Sequence, residues 1–127
     1  MIKTMVRFHT STGVFAEPVE STRAVRHATG LVPLPDQRAD IAGVLPGQPP
    51  MTVLAVLGAG GEYVLVLTSG SMEYGLQVLE VLGVERVDSA RLGPAPRGQE
   101  GALVTGTLYG SGDLVLIVDP DEMAARL

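Results

Sequence analysis

The sequence predicts an all-β protein that closes on one short helix, and three observations predict it. Sixteen Gly and nine Pro divide the 127 residues into apolar runs of roughly four to eight, which is strand length. The apolar residues are mostly Val and Leu, with no Trp and only two Phe, and β-branched side chains suit a pleated surface. A helix start is legible at one place, Asp119-Pro120-Asp121-Glu122.

Met5 to His9 reads as a strand, Ser11-Thr12-Gly13 as a turn, and Val14-Phe15-Ala16 as the opening of a second strand. Pro18 has no N–H for a ladder and works against continued central pairing. Thr22 to His27 fits a short strand or a turn of helix, with strand the better match. Leu31 to Gln37, holding Pro33 and Pro35, is extended but irregular, and Ala39 to Val44 is ambiguous. Leu45 to Pro50 is a loop by its Pro and Gly content.

Met51 to Leu57 is an apolar strand, Gly58-Ala59-Gly60-Gly61 a turn, and Glu62 to Thr68 a strand apolar enough to be buried on both faces. After the Ser69-Gly70-Ser71 turn, Met72 to Val87 forms one long strand region with bends expected at Gly75 and Gly83. Asp88 to Gly101 is a Pro/Gly-rich loop. Leu103 to Tyr109 and Leu114 to Val118 make a hairpin around Gly110-Ser111-Gly112-Asp113. Asp119 can cap the closing helix, Pro120 suits its first position, and Glu122 stands where a capping box wants an acid. The pattern of apolar strand, Gly turn and apolar strand at Met51–Thr68 is echoed at Leu103–Val118. Many short strands followed by one helix point to barrels or a sandwich.

The formal net charge is −5, and Arg7, Arg23, Arg26, Arg38, Arg86, Arg91, Arg97 and Arg126 are scattered. No basic stripe would track a phosphate backbone, which argues against nucleic acid. The absence of cysteine excludes disulfides, thiolate metal sites and a Cys nucleophile. No apolar run approaches the ~20 residues that span a bilayer, and Met1 to Met5 lacks the apolar core of a signal peptide. The expectation is a cytoplasmic protein without membrane insertion.

A search for chemistry finds little. His9 and His27 have no metal-ligand spacing and read as surface or strand-edge residues. Gly58–Gly61 leads into a strand, whereas a phosphate cradle needs a helix N-terminus. Glu17 and Glu20 are close in sequence, but Pro18 places them at a strand end in solvent. Asp119, Asp121 and Glu122 are accounted for by capping. No base or nucleophile accompanies either acidic set. The expectation is no catalytic residue, no metal and no cofactor, hence a binding module working through apolar grooves and strand edges.

The C-terminal half carries a further pattern. Val64-Leu65-Val66-Leu67, a Gly turn, then Tyr74-Gly75-Leu76-Gln77-Val78-Leu79-Glu80-Val81-Leu82 resembles the stretch of CheW-like domains in which a strand carries a Gly and runs on through a bent valine-rich segment. Leu92-Gly93-Pro94-Ala95-Pro96 is similar to the proline motif that follows it there. Val104-Thr105-Gly106-Thr107-Leu108 and Gly112-Asp113-Leu114-Val115-Leu116-Ile117-Val118-Asp119 resemble the closing hairpin, the most specific part. Val6-Arg7-Phe8 and Gly13-Val14-Phe15 look like the opening hairpin. Leu34, Ile41, Gly43 and Val44 look like the stretch leading to an Asn-Leu-Arg-Gly motif.

The resemblance implies one CheW-like domain over 1–127, built as two small SH3-like β-barrels side by side. Their subdomains would interleave, roughly 14–68 and the remainder. It implies a scaffold coupling the cytoplasmic tip of a chemoreceptor to the regulatory domain of a histidine kinase in chemotaxis-type signalling. Thr22, Val25, Gly75 and Val78 would fall in the receptor groove. Gly43 and Val44 would lie by the partner-binding motif, where Pro46-Gly47-Gln48-Pro49 now stands, with Gln48 in the place of the family's arginine. Ala24 stands where the family has a glutamate. In the family those two charges support each other, and their joint loss strands neither. Two alternatives accompany the adaptor reading: a divergent member keeping one partner, and a small-ligand-binding β-barrel. Sheet augmentation at an exposed edge is a third mode of binding.

Overall fold

The computed structural model describes residues 1–35, 39–98, 103–109, 112 and 114–127. The strands are β1 (Ile2–Thr10), β2 (Gly13–Pro18), β3 (Thr22–His27), β4 (Ile41–Leu45), β5 (Met51–Leu54), β6 (Tyr63–Ser69), β7 (Met72–Val78), β8 (Glu80–Asp88), β9 (Leu92–Pro94), β10 (Val104–Leu108) and β11 (Val115–Val118). Short 3-10 turns at Val19–Ser21 and Ser89–Arg91 precede β3 and β9, and the helix α1 spans Pro120–Ala124. Asp119 caps α1 by accepting from the Asp121 amide at 2.9 Å, which relieves one of the unpaired donors of the first turn.

Two curled sheets result. One runs β8-β1-β2-β11-β10-β9, the other β3-β6-β7-β5-β4. They are built alike. Each has a central hairpin, β1–β2 or β6–β7. Beside its second strand lies a parallel neighbour, β11 or β5, which pairs in turn with β10 or β4. On the other side of each hairpin an edge strand is contributed by the chain just after it has left the opposite sheet. Thus β3 follows β2 but pairs with β6, and β8 follows β7 but pairs with β1. The pairing irregularities fall at equivalent places too, in β8 against β1 and in β3 against β6.

The register turns this likeness into residue equivalence. Phe8 faces Phe15 as Leu67 faces Tyr74, and Val6 faces Glu17 as Leu65 faces Leu76. Gly43 and Gly106 are another such pair, each following a bulge in β4 or β10. A Cβ on Gly43 would lie 2.4 Å from the Val32 carbonyl oxygen, and one on Gly106 would lie 2.8 Å from that of Gly93. Both barrels therefore need a bare α-carbon where the chain crosses over its own sheet. The main core is shared: Phe8 and Phe15 from the first sheet meet Leu54, Leu65, Leu67, Tyr74 and Leu76 from the second, with Met123 and Ala124 of α1 closing over them. Tyr74 is fully buried and its hydroxyl donates to the Pro120 carbonyl at 2.6 Å. On the far side Thr10 and Thr12, in the β1–β2 turn, both donate to the Leu57 carbonyl.

The all-β class and the paired SH3-like barrels agree with the expectation. Thr22–His27 is a strand, and the ambiguous Ala39–Val44 stretch yields β4. Several expectations need correction. Met72 to Val87 is two strands in two different sheets, parting at Leu79. Gly75 makes no bend: it sits mid-strand, where Val64 and Val53 leave no room for a Cβ. Gly83 does mark a bulge, at φ +140. The strand read over Met51–Leu57 ends at Leu54, and the Asp88–Gly101 stretch contains β9. The echo misaligned the halves, because β10 and β11 pair together whereas β5 pairs with β4 and β7. Glu17 is buried, not solvated, since it lies on the same face of β2 as Phe15 and points inward with it. The ends of the Leu31–Gln37 and Asp88–Gly101 segments and most of the Gly110–Asp113 turn lie outside the described residues.

Two outcomes test this packing. Gly43→Ala and Gly106→Ala should each cost about 1–3 kcal/mol in urea unfolding, the usual penalty of overpacking, with unchanged m-values. Tyr74→Phe should cost about 1–3 kcal/mol by the same measurement, because it leaves a buried carbonyl without its donor.

Candidate functional site

β3 has one neighbour, β6, and no buried residue: Thr22 is half-buried and Arg23 to His27 are exposed. Past the irregularity between Thr22 and Ala24 the side chains alternate between its faces. Val25 and His27 take one face, Ala24 and Arg26 the other. β8, its counterpart in the other sheet, is also an edge strand and is mostly exposed.

Between these edges lies a cleft. Val25 and Tyr63 on one wall and Leu79, Glu80 and Val81 on the other enclose about 370 Å³. The cleft opens where the chain passes from one sheet to the other, between Val78 and Glu80. Of the cleft residues Val25 is 47 % and Leu79 38 % exposed, and further along β8 Leu82 and Val84 are 46 % and 62 % exposed. The walls are braced by polar contacts. The His27 ring lies 5.0 Å from that of Tyr63, and His9 Nε2 lies 3.3 Å from Glu80 Oε2. Val25 extends the buried cross-strand row Leu65–Leu76–Leu54, so the cleft is the open margin of the core between the barrels.

The other face of β3 looks onto a second hollow of about 210 Å³, lined by Arg26, Gln48, Met51 and Glu73 among others. A third, at the foot of the first barrel among Met5, Leu92, Ile117 and Val118, holds about 160 Å³, below the ~300 Å³ at which ordinary ligand pockets begin. No group of three or more His, Cys, Asp or Glu side chains able to hold a metal occurs among the described residues.

The residues singled out in the sequence are not gathered in one place. Val25 lines the cleft. Thr22, at the start of the same strand, directs its hydroxyl inward to Glu17. Ala24 is exposed on the opposite face and Gln48 lies in the second hollow. Gly43 is buried and Val44 is half-buried, the latter exchanging backbone hydrogen bonds with Val32. Gly75 and Val78 are buried within β7: Val78 belongs to the shared core, whereas Gly75 faces Val64, Val53 and Met51 inside the second barrel. Sequence reasoning missed Tyr63, Leu79, Glu80 and Val81. A signal was present: Leu79, Val81, Leu82 and Val84 put apolar groups on both faces of one strand, which a one-sided edge strand does not need.

Comparison with known proteins gives this geometry a family. The CheW-like domain model matches residues 49–127, more than half of the chain. The crystal structure of the scaffolding protein TtCheW from Thermoanaerobacter tengcongensis superposes with a TM-score of 0.80 at 18 % identity, covering 94 % of this chain and 90 % of that one. No curated protein matches the sequence. With the family model spanning the second hairpin, the sheet crossing and the closing strands, the chain belongs to the CheW-like domain family.

Proposed function

We propose that this protein is a non-catalytic adaptor that couples the cytoplasmic tip of a chemoreceptor to the regulatory domain of a histidine kinase. The observation that carries the reading is the cleft: exposed apolar side chains at the margin of the shared core, between two edge strands. An amphipathic helical hairpin seats its apolar face in such a groove. In this reading Val25, Tyr63, Leu79 and Val81 hold the receptor, Thr22 and Val78 shape the groove from within, and Gly75 lets the strand behind it pack closely. Gln48 in the second hollow, Ala24 on that face of β3, and Gly43 and Val44 in β4 serve the kinase. Membership of a scaffold-type family supports binding over turnover. No described helix is long and apolar enough to cross a membrane, and the proposed location is the cytoplasm.

Calorimetric titration against a cognate receptor-tip hairpin and a cognate kinase regulatory domain tests this. Both fragments should bind the parent. Val25→Asp should weaken the receptor fragment at least about tenfold, or ~1.4 kcal/mol, while leaving the kinase domain and the urea midpoint nearly unchanged, as exposed substitutions do. Binding of one fragment alone identifies a member that keeps a single partner. Binding of neither refutes the adaptor reading.

A further inference from the structure

Glu17 stands apart from every other acid described in the molecule. Its relative exposure is 0 %. The Thr22 hydroxyl donates to Oε1 at 3.0 Å, while Oε2 is buried with no partner. The described ion pairs, Arg7–Glu85, Arg91–Glu85 and His9–Glu80, leave it out. Among the described residues no cation pairs with it, although Lys3 shares the hollow beside Pro18 with Asp119. β1 presents Val6 across the ladder, and β3 presents the neutral Thr22. β7 presents Tyr74, a neutral phenol whose ionisation is disfavoured first by burial and then by the carboxyl groups of Glu17, Asp121 and Asp119. An ionised carboxylate in such a place keeps one oxygen without hydration or hydrogen bond, whereas the neutral acid is tolerated at far lower cost.

The fold supplies an internal control. The register equivalence places Leu76 of the second barrel where Glu17 stands in the first, and Leu76 is fully buried in the shared core. An apolar residue therefore satisfies this position structurally, and the carboxyl group is an addition to it. Its one side-chain bond runs from the first sheet to the first residue of β3, an edge strand paired with β6.

We propose that Glu17 makes the seam between the two barrels proton-sensitive: the neutral acid is accommodated there, whereas the carboxylate, with Oε2 buried and unpartnered, needs water drawn in at the Thr22 corner of β3, which opens that corner even though the Thr22 bond itself favours the ionised form. Burial, opposed by the Thr22 bond, raises its pKa from 4.5 to about 8. A carboxyl group raised on folding gives up stability as pH rises. Below about 4.5 both states are protonated. Between 4.5 and 8 the unfolded chain ionises first, so the folded state loses ground, and above about 8 the loss is complete.

The test needs no variant to begin. Side-chain carboxyl NMR of the parent, titrated from pH 4 to 10, should show Glu17 with a midpoint near 8, moving together with the amides of Thr22 and Tyr74. A midpoint of 4 to 5 overturns the proposal, as does a raised midpoint that no amide at the seam follows. Removing the hydroxyl with Thr22→Val should move the midpoint upward, since that bond favours the carboxylate, and a downward shift counts against the proposal. Glu17→Gln and Glu17→Leu should melt close to the parent at pH 4.5 and clearly above it at pH 8.5. Parallel melting curves across that range reject the proposal.

Discussion

The structure depends on one core that two sheets must share. Phe8 and Phe15 find their partners in Leu65, Leu67 and Tyr74 of the other sheet, so the faces that meet there stay uncovered until both sheets are present, while the opposite faces curl over smaller cores of their own. Burial on this scale is the main favourable term in a domain of this size. The chain reinforces it by crossing over twice, lending β3 to one sheet and β8 to the other. The exchanged strands lie at the margin of the shared core, and that is why an apolar cleft exists. Its walls are where interior packing runs out, flanked by strands with a neighbour on one side only.

The likeness of the two halves is a physical constraint as well as a pattern. Each barrel has its parallel strand beside the second strand of its hairpin and its glycine under the crossing segment. A Cβ would strike a carbonyl oxygen at Gly43 and at Gly106 alike. Where equivalent positions differ in chemistry, the difference belongs to this chain rather than to the architecture. Tyr74 against Phe15 adds a hydroxyl that serves the Pro120 carbonyl. Glu17 against Leu76 adds a carboxyl that packing alone does not call for.

Local features were legible in the sequence. The continuous apolar run Val64–Leu67 announced burial on both faces and is buried throughout. Asp119-Pro120 announced the helix start and supplies its cap. What escaped was non-local. The parallel pairing of β2 with β11 joins residues about as far apart as the chain permits, and nothing in either segment names the other. The departure from one sheet to the next at Leu79 carries no Gly or Pro, so it read as continuation. Glu17 was misplaced because a charged residue beside a proline suggests a solvated strand end, whereas its facing direction is set by Phe15 two residues earlier. At the site, Val25 was reached through family resemblance. Tyr63, Leu79 and Val81 join it only once strands distant in sequence are brought side by side.

The crossing pattern also orders events during synthesis. All five strands of the second sheet lie between Thr22 and Val78, so that sheet has its members as soon as β7 has left the ribosome. The first sheet cannot be completed until β11, translated well after β7, reaches β2. A nascent chain would thus carry a nearly finished barrel while β1 and β2 wait with one flank open.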